Sequence, residues 1–285
     1  MTELRRRMED DMVARGFSSR TRASYLWGVT SLARFYHRSP DQISDAEVQA
    51  YLVHLLRERQ LSSSTCNVVV CGLRFFYHTT LKRALPTFDI PLSRQPGKLP
   101  AILSREEVER LIHHAANPKF QTMLLTTYAA GLRLNEVLHL HVRDIDSSRM
   151  MIRVEHGKGA KDRYTVLSPR LLEALRAYWL ITRPRLWLFP ATGGDRPMHP
   201  TALQRAYSTA KRRAGIRKPG GIHGLRHAFA THLLEAGIDL HTIQRLLGHG
   251  HLSTTTRYFQ LTRHTEVGPD SPLDLLARFA PPPQG

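Results

Sequence analysis

The chain has 285 residues, with 41 Lys+Arg against 24 Asp+Glu, a formal net charge of +17 at pH 7, and 16 histidines besides. At about 150 residues per domain this is room for roughly two domains with cores of their own, which excludes a peptide hormone or a disulfide mini-protein. A hydrophobic fraction of 41% and a charged fraction of 23% are those of a folded protein rather than a disordered polybasic tail, so the excess charge lies on a folded surface and calls for a polyanionic partner.

Residues 1–85 read as helical. Tyr25, Val29, Leu32 and Tyr36 recur at the spacing of one helix face. Ser44 to Glu47 is a capping box opening a helix that buries Val48, Leu52 and Leu55. A third helix follows Ser62 to Ser64, with Cys66, Val69, Leu73 and Phe76 as its stripe. Cys66 and Cys71, five apart on that helix, point to different faces and are expected to pack as free thiols in a reducing compartment. Pro86, Pro91, Pro96 and Pro100 then punctuate residues 86–100, which read as a linker between a helical domain (1–85) and a second domain (101–285). Both parts are basic: residues 1–85 hold 13 basic and 8 acidic side chains, and the remainder 28 and 16. Such a pair can grip a duplex from two sides, whereas the bland explanation is a solvated basic surface; the dominance of arginine, whose fork matches phosphate oxygens, favours the clamp.

The second domain opens with a capping box, Ser104 to Glu107, before Val108, Leu111 and Ile112, and a later helix stops near Gly131. MMIRVE and RYTVL are β-prone runs flanking HGKGAKD, which predicts a β-hairpin with Lys158 at its tip. Helices resume at Ser168-Pro169, an N-cap and first-turn pair, with Gly215, Gly237 and Gly248 as stops. Without repeats or strand-helix alternation, the fold class is mainly α with a small antiparallel β-sheet (α+β). No apolar run reaches the roughly 18 to 20 residues of a membrane span, and MTELRRRMED has no apolar stretch behind its arginines, so a cytoplasmic location away from membranes is expected.

Four stretches carry chemistry: AGLRLNEV around Arg133, HGKGAKDR around Lys158, HGLRHAFATHLL from His223, and LLGHGHLSTTTRYF up to Phe259. In this order and spacing, with His223-x-x-Arg226, the Leu-Gly-His249 turn and Tyr258 nine residues on, the second domain closely resembles the tyrosine recombinase (phage integrase) family, of the Xer and integron type. The first domain is similar to the family's core-binding domain only in size, helicity and position. The resemblance implies a site-specific DNA recombinase or transposase-type integrase, acting as a homotetramer on two double-stranded sites. It makes Arg133 and Arg226 the phosphate clamp, Lys158 the general acid, His223 the proton acceptor or hydrogen-bond partner of the nucleophile, His249 a phosphate donor and Tyr258 the nucleophile.

The residue chemistry stands beside this. Breaking a phosphodiester requires in-line attack, neutralisation of the nonbridging oxygens and a proton for the leaving oxygen. Two arginines can supply charge otherwise supplied by metal, a hairpin lysine a proton, and a phenol a covalent ester, so no cofactor or ATP is expected. The ordinary account of Arg133 is an ion pair with Glu136 one turn on, compatible with the clamp because Glu136 can orient it. Lys161 and Arg163, beside Lys158, and Arg257, beside Tyr258, are expected to bind backbone phosphates. His223 and His227 have zinc-helix spacing, but Gly224 replaces the needed glutamate and Arg226 opposes a metal; His227 and His232 read as packing residues. Asp144 and Asp146 lack a third carboxylate for a metal-dependent transposase. Two rivals remain: a type IB topoisomerase-like enzyme that relaxes DNA, and a DNA-binding protein without catalysis. After Tyr258, Leu273, Leu275, Leu276 and Phe279 form an amphipathic pattern that docks either on its own domain or on a neighbouring subunit. The linker reading predicts that limited proteolysis cuts first between Pro86 and Pro100, giving two resistant fragments; a single indivisible core on the gel would contradict it.

Overall fold

The computed structural model describes residues 2–83, 101–155, 162–194 and 196–248. Its contacts divide the chain into two compact units, Met1–Gly97 and Lys98–Gly285.

The first unit is built from α1 (Glu3–Ala14), α2 (Ser19–Tyr36), a 3-10 turn (Pro40–Gln42), α3 (Asp45–Arg57) and α4 (Ser63–Arg74), the last running on as a π-helical turn over Phe75–Thr80. Serine starts three of them: Ser18, Ser44 and Ser62 each accept from the backbone N–H three residues on, and Ser44 with Glu47 closes both bonds of the capping box. The core gathers Met8, Met12, Val29, Leu32, Val48, Leu52, Val69, Leu73 and Phe76, with Tyr25 and Tyr36 packed at its margin. The expected stripes thus face inward. Tyr51 and Tyr77 are buried because their hydroxyls find acceptors, at 2.8 Å on Ser31 and 2.7 Å on the Pro40 carbonyl. Cys66 is buried as expected, but Cys71 is exposed: five positions rotate it off the stripe that Cys66 occupies.

Helices α2 and α4 pack against each other through glycine. A Cβ on Gly72 would lie 3.0 Å from the Tyr25 Cα and 3.1 Å from its carbonyl oxygen, and one on Gly28 would lie 3.4 Å from the Val69 Cα.

The second unit contains α5 (Arg105–His113), α6 (Pro118–Ala129), α7 (Leu134–Leu138), a 3-10 turn (Val142–Asp144), strands β1 (Ile145–Asp146), β2 (Met151–Val154) and β3 (Arg163–Val166), then α8 (Pro169–Thr182), α9 (Pro200–Arg213), α10 (His223–Glu235) and α11 (Leu240–Leu247). The sheet is antiparallel in the order β1-β2-β3, with Ile152 opposite Thr165 and Val154 opposite Arg163. The expected hairpin is present, its Lys158 tip lying outside the described residues, and β1 adds a third strand that the sequence did not announce. Two residues are too short a run to show alternation; β1 exists because β2 offers it a ladder edge. Asp144 and Asp146 serve this turn. The first accepts from the His141 N–H at 2.8 Å, and the second from the Ser148 and Arg149 N–H groups at 3.0 and 2.9 Å.

Helix α6 is the buried element on which α8 and α10 pack. Its threonines Thr122, Thr126 and Thr127 stay inside because each hydroxyl donates to the carbonyl one turn back at 2.7 to 2.8 Å. Gly131 follows its end at φ +61°, where a Cβ would lie 2.5 Å from the Phe229 ring of α10. In the first unit, Gly72→Ala forces backbone apart, since its neighbour is main chain rather than a yielding side chain. It should destabilise that unit by about 2 kcal/mol in denaturant unfolding; an unchanged midpoint would contradict the close packing.

Candidate active site

The site forms where the ends of α6 and α11 and the starts of β3 and α10 meet the start of α7. Glu136, on the first turn of α7, is buried with its side chain 6% exposed. Its carboxylate accepts from the Arg133 backbone N–H at 2.8 Å and from Arg133 Nη1 at 2.7 Å, fixing the residue that precedes the helix. Arg163, the first residue of β3, approaches from the sheet: Nη1 donates to Oε1 at 2.8 Å and Nη2 to Oε2 at 2.7 Å. Arg226, on the first turn of α10, places Nη1 3.7 Å from Oε2. One carboxylate therefore holds three guanidinium groups.

The arginines also take up carbonyls at chain ends. Arg226 Nη1 donates to Gly131 O at 2.7 Å and Nη2 to Leu247 O at 2.5 Å, while Arg163 Nε donates to Leu246 O at 2.9 Å and Arg133 Nη2 to Gly248 O at 3.3 Å. The last turn of α11 exposes unpaired carbonyl oxygens, which carry the negative end of the helix dipole, and the three arginines satisfy them.

Burial pushes the Glu136 carboxyl upward, but the hydrogen bonds and charge of Arg163, joined by those of Arg133, overcome it and hold the pKa at about 2. His223, at the start of α10, is exposed overall, yet the protein packed around it disfavours its charged form; Arg226 and Arg133 add to this, Glu136 opposes it, and the net pKa falls below the ordinary histidine value. A neutral imidazole at pH 7 can accept a proton.

Of the residues that the sequence singled out, Arg133, Arg163, His223 and Arg226 come together here. Two stand differently from expectation. Arg163 was expected on backbone phosphate, but its three guanidinium nitrogens all bond to protein and its side chain is 9% exposed, because β3 aims it at a buried carboxylate. Arg226 shares its helix turn with His223 as expected, yet it is fully buried beneath the site while His223 is exposed, and Arg133, its side chain 24% exposed, is the one of the two expected clamp arginines that is open to solvent. Lys158, Lys161, His249, Arg257 and Tyr258 lie outside the described residues. His232 is buried against Tyr128, whose hydroxyl stands 2.8 Å from Nδ1, and His227 packs edge-on to His223. Among the described residues no group of three His, Cys, Asp or Glu side chains forms a metal site, and no helix is long and apolar enough to cross a membrane.

Glu136 titrates lower in the folded state than its usual value near 4.3, so its stabilisation is complete above about pH 4.5 and is lost as pH falls towards 2. Glu136→Gln should therefore cost about 3 kcal/mol at pH 7, with the gap to wild type closing below pH 4. Denaturant titrations at pH 7 and pH 3 test this, and a pH-independent gap would contradict it.

Comparison with known proteins places this site in a family. Residues 101–264 match the model of the Phage integrase family and residues 4–87 that of the Phage integrase, N-terminal SAM-like domain. The chain is 34% identical to an integrase/recombinase of Escherichia coli, over 91% of this chain and 90% of that protein. It is 33% identical to the tyrosine recombinase XerC of Lactobacillus delbrueckii subsp. bulgaricus (strain ATCC BAA-365 / Lb-18), over 86% and 89%. The crystal structure of XerA recombinase superposes with a TM-score of 0.53 at 26% identity, over 90% of this chain and 92% of that one. A lambda integrase dimer bound to a core site shares the fold, with a TM-score of 0.74 at 17% identity, over 88% and 95%. The chain belongs to the phage integrase family of tyrosine recombinases.

Proposed function

We propose that the protein is a site-specific DNA recombinase that cleaves and rejoins strands through a 3′-phosphotyrosyl intermediate. The observation that carries this reading is the arginine set fixed by Glu136, which concentrates positive charge where α10 begins and α6 and α11 end, next in sequence to His249 and ten residues before Tyr258.

In this reading the Tyr258 hydroxyl gives its proton to neutral His223 and attacks the scissile phosphorus; the bond to the 5′ oxygen breaks as the phosphotyrosine forms, and Lys158 protonates that oxygen. The 5′ hydroxyl of a partner strand then attacks the phosphotyrosine, and Tyr258 leaves with its proton restored. Arg133 neutralises a nonbridging oxygen from the open side. Arg226 strengthens the field from below, where low dielectric magnifies its charge, and reaches phosphate directly by exchanging carbonyl partners for phosphate oxygens. His249 donates to the phosphate, while Lys161 and Arg257 hold the flanking backbone. None of these roles calls for metal or nucleotide. A cytoplasmic location follows from the substrate.

Assembly supports the same reading: XerH has been solved bound to its difH substrate, and lambda integrase as a tetramer on a Holliday junction. A homotetramer joining two double-stranded sites is the corresponding arrangement here.

On a nicked duplex whose 5′ fragment diffuses away, wild type should accumulate a covalent protein-DNA adduct in EDTA, and Tyr258→Phe should bind without forming one. Arg226→Ala should lose on the order of 10² to 10³ in rate. An adduct from Tyr258→Phe, or cleavage that requires a divalent ion, would overturn the mechanism. With two sites supplied, relaxation without recombinant joints would favour a topoisomerase instead.

A further inference from the structure

Arg163 is the arginine of the site whose position the proposed chemistry does not explain. It stands at the first residue of β3, pairs across the sheet with Val154, and turns its side chain away from solvent. Its planar fork covers both oxygens of Glu136 with one rigid group, from the side of the sheet and opposite the grip that Arg133 takes through its N–H and Nη1. Oε1 is shared with Arg133 Nη1, and Oε2 is shared with the Arg133 N–H and faces Arg226 at 3.7 Å. Rotation of the carboxylate would therefore move the anchor of both clamp arginines at once.

The remaining nitrogen, Nε, donates to Leu246 O, so the same side chain ties β3 to the last turn of α11. That turn is shaped to receive it. Gly248 closes α11 at φ +62°, and a Cβ there would lie 2.6 Å from the Arg163 Cδ. The position excludes side chains for two reasons, the left-handed backbone and the stem of Arg163.

We infer that Arg163 is a positioning residue for the recombination reaction: it orients Glu136 so that Arg133 and Arg226 present their charge to the scissile phosphate, and it does not itself bind DNA. The inference rests on the recombinase reading. Arg226 holds neutral carbonyls that a phosphate oxygen can replace, whereas Arg163 has both ends of its fork on the Glu136 carboxylate at 2.7 and 2.8 Å and Nε on Leu246 O at 2.9 Å.

The test compares full-length wild type, Arg163→Met and Arg163→Lys in single-turnover cleavage of a nicked duplex whose scissile group is either a natural phosphate or an uncharged methylphosphonate. The latter has less charge to neutralise, so it asks less of the clamp. Arg163→Met should bind the duplex within about twofold of wild type with an unchanged salt slope, and cleave the natural phosphate on the order of 10²-fold more slowly. On the methylphosphonate the deficit should shrink to below about tenfold. Arg163→Lys keeps the charge but not the two-oxygen grip, so it should show the same substrate dependence with a smaller deficit; it also serves as the test should Arg163→Met fail to fold.

Equal deficits on the two substrates would mean a general structural role and overturn the inference. So would weakened binding with a salt slope reduced by about one, the mark of a lost phosphate contact. Wild-type rates in Arg163→Met would overturn it as well. A wild-type protein that forms no adduct on either substrate would instead reject the recombinase reading.

Discussion

A single buried carboxylate among three arginines sets the arrangement of the catalytic unit. Removing Glu136 and its partners from water is costly, and the cost is offset only because every oxygen is shared between donors held at 2.7 to 2.8 Å. The partners come from the approach to α7, from β3 and from α10, so elements distant in sequence must meet in one geometry before the charge is satisfied. The site's order and the unit's stability are thus one requirement. Surplus positive charge is what remains: three guanidinium groups to one carboxylate leave a local excess of two, the excess on which the proposed phosphate clamp depends.

Helix ends supply the second constraint. Gly131 and Gly248 bring the ends of α6 and α11 to the same place, each in a left-handed conformation and each with no room for a Cβ. Their carbonyls, with those of Leu246 and Leu247, seat the arginines. A residue with a side chain at Gly131 would meet the Phe229 ring, and one at Gly248 would meet Arg163, so the local backbone and the placement of charge depend on the same atoms. His223 completes this arrangement from the exposed side, kept neutral by the protein around it and by the arginines beneath.

Much of this was legible in the sequence where the signal is local. Capping boxes at Ser44 and Ser104, the Ser168-Pro169 start and the glycine stops act within one turn of chain, and the structure realises them. The Arg133 to Glu136 pair was visible for the same reason, being three residues apart on a helix start. Arg163 was not. Nothing in GKGAKDR distinguishes an arginine facing DNA from one facing a carboxylate 27 residues earlier, because only the sheet brings them together. Burial of Arg226 is likewise a tertiary fact: its helix position was clear, while its carbonyl acceptors come from Gly131 and Leu247. The expected packing of Cys71 failed because it lies off the stripe of Cys66, Val69, Leu73 and Phe76, on a face turned to solvent, and β1 escaped notice because two residues carry no period.

The claim that one carboxylate unites these elements is tested most directly by a double-mutant cycle in equilibrium unfolding, with Glu136→Gln, Arg163→Met and the pair together at pH 7. Because the two side chains share a bidentate bond in a buried setting, their coupling energy should be at least about 2 kcal/mol, and the double variant little worse than either single one. Additive losses with no coupling would contradict the account, since they would mean that Glu136 and Arg163 stabilise the unit independently.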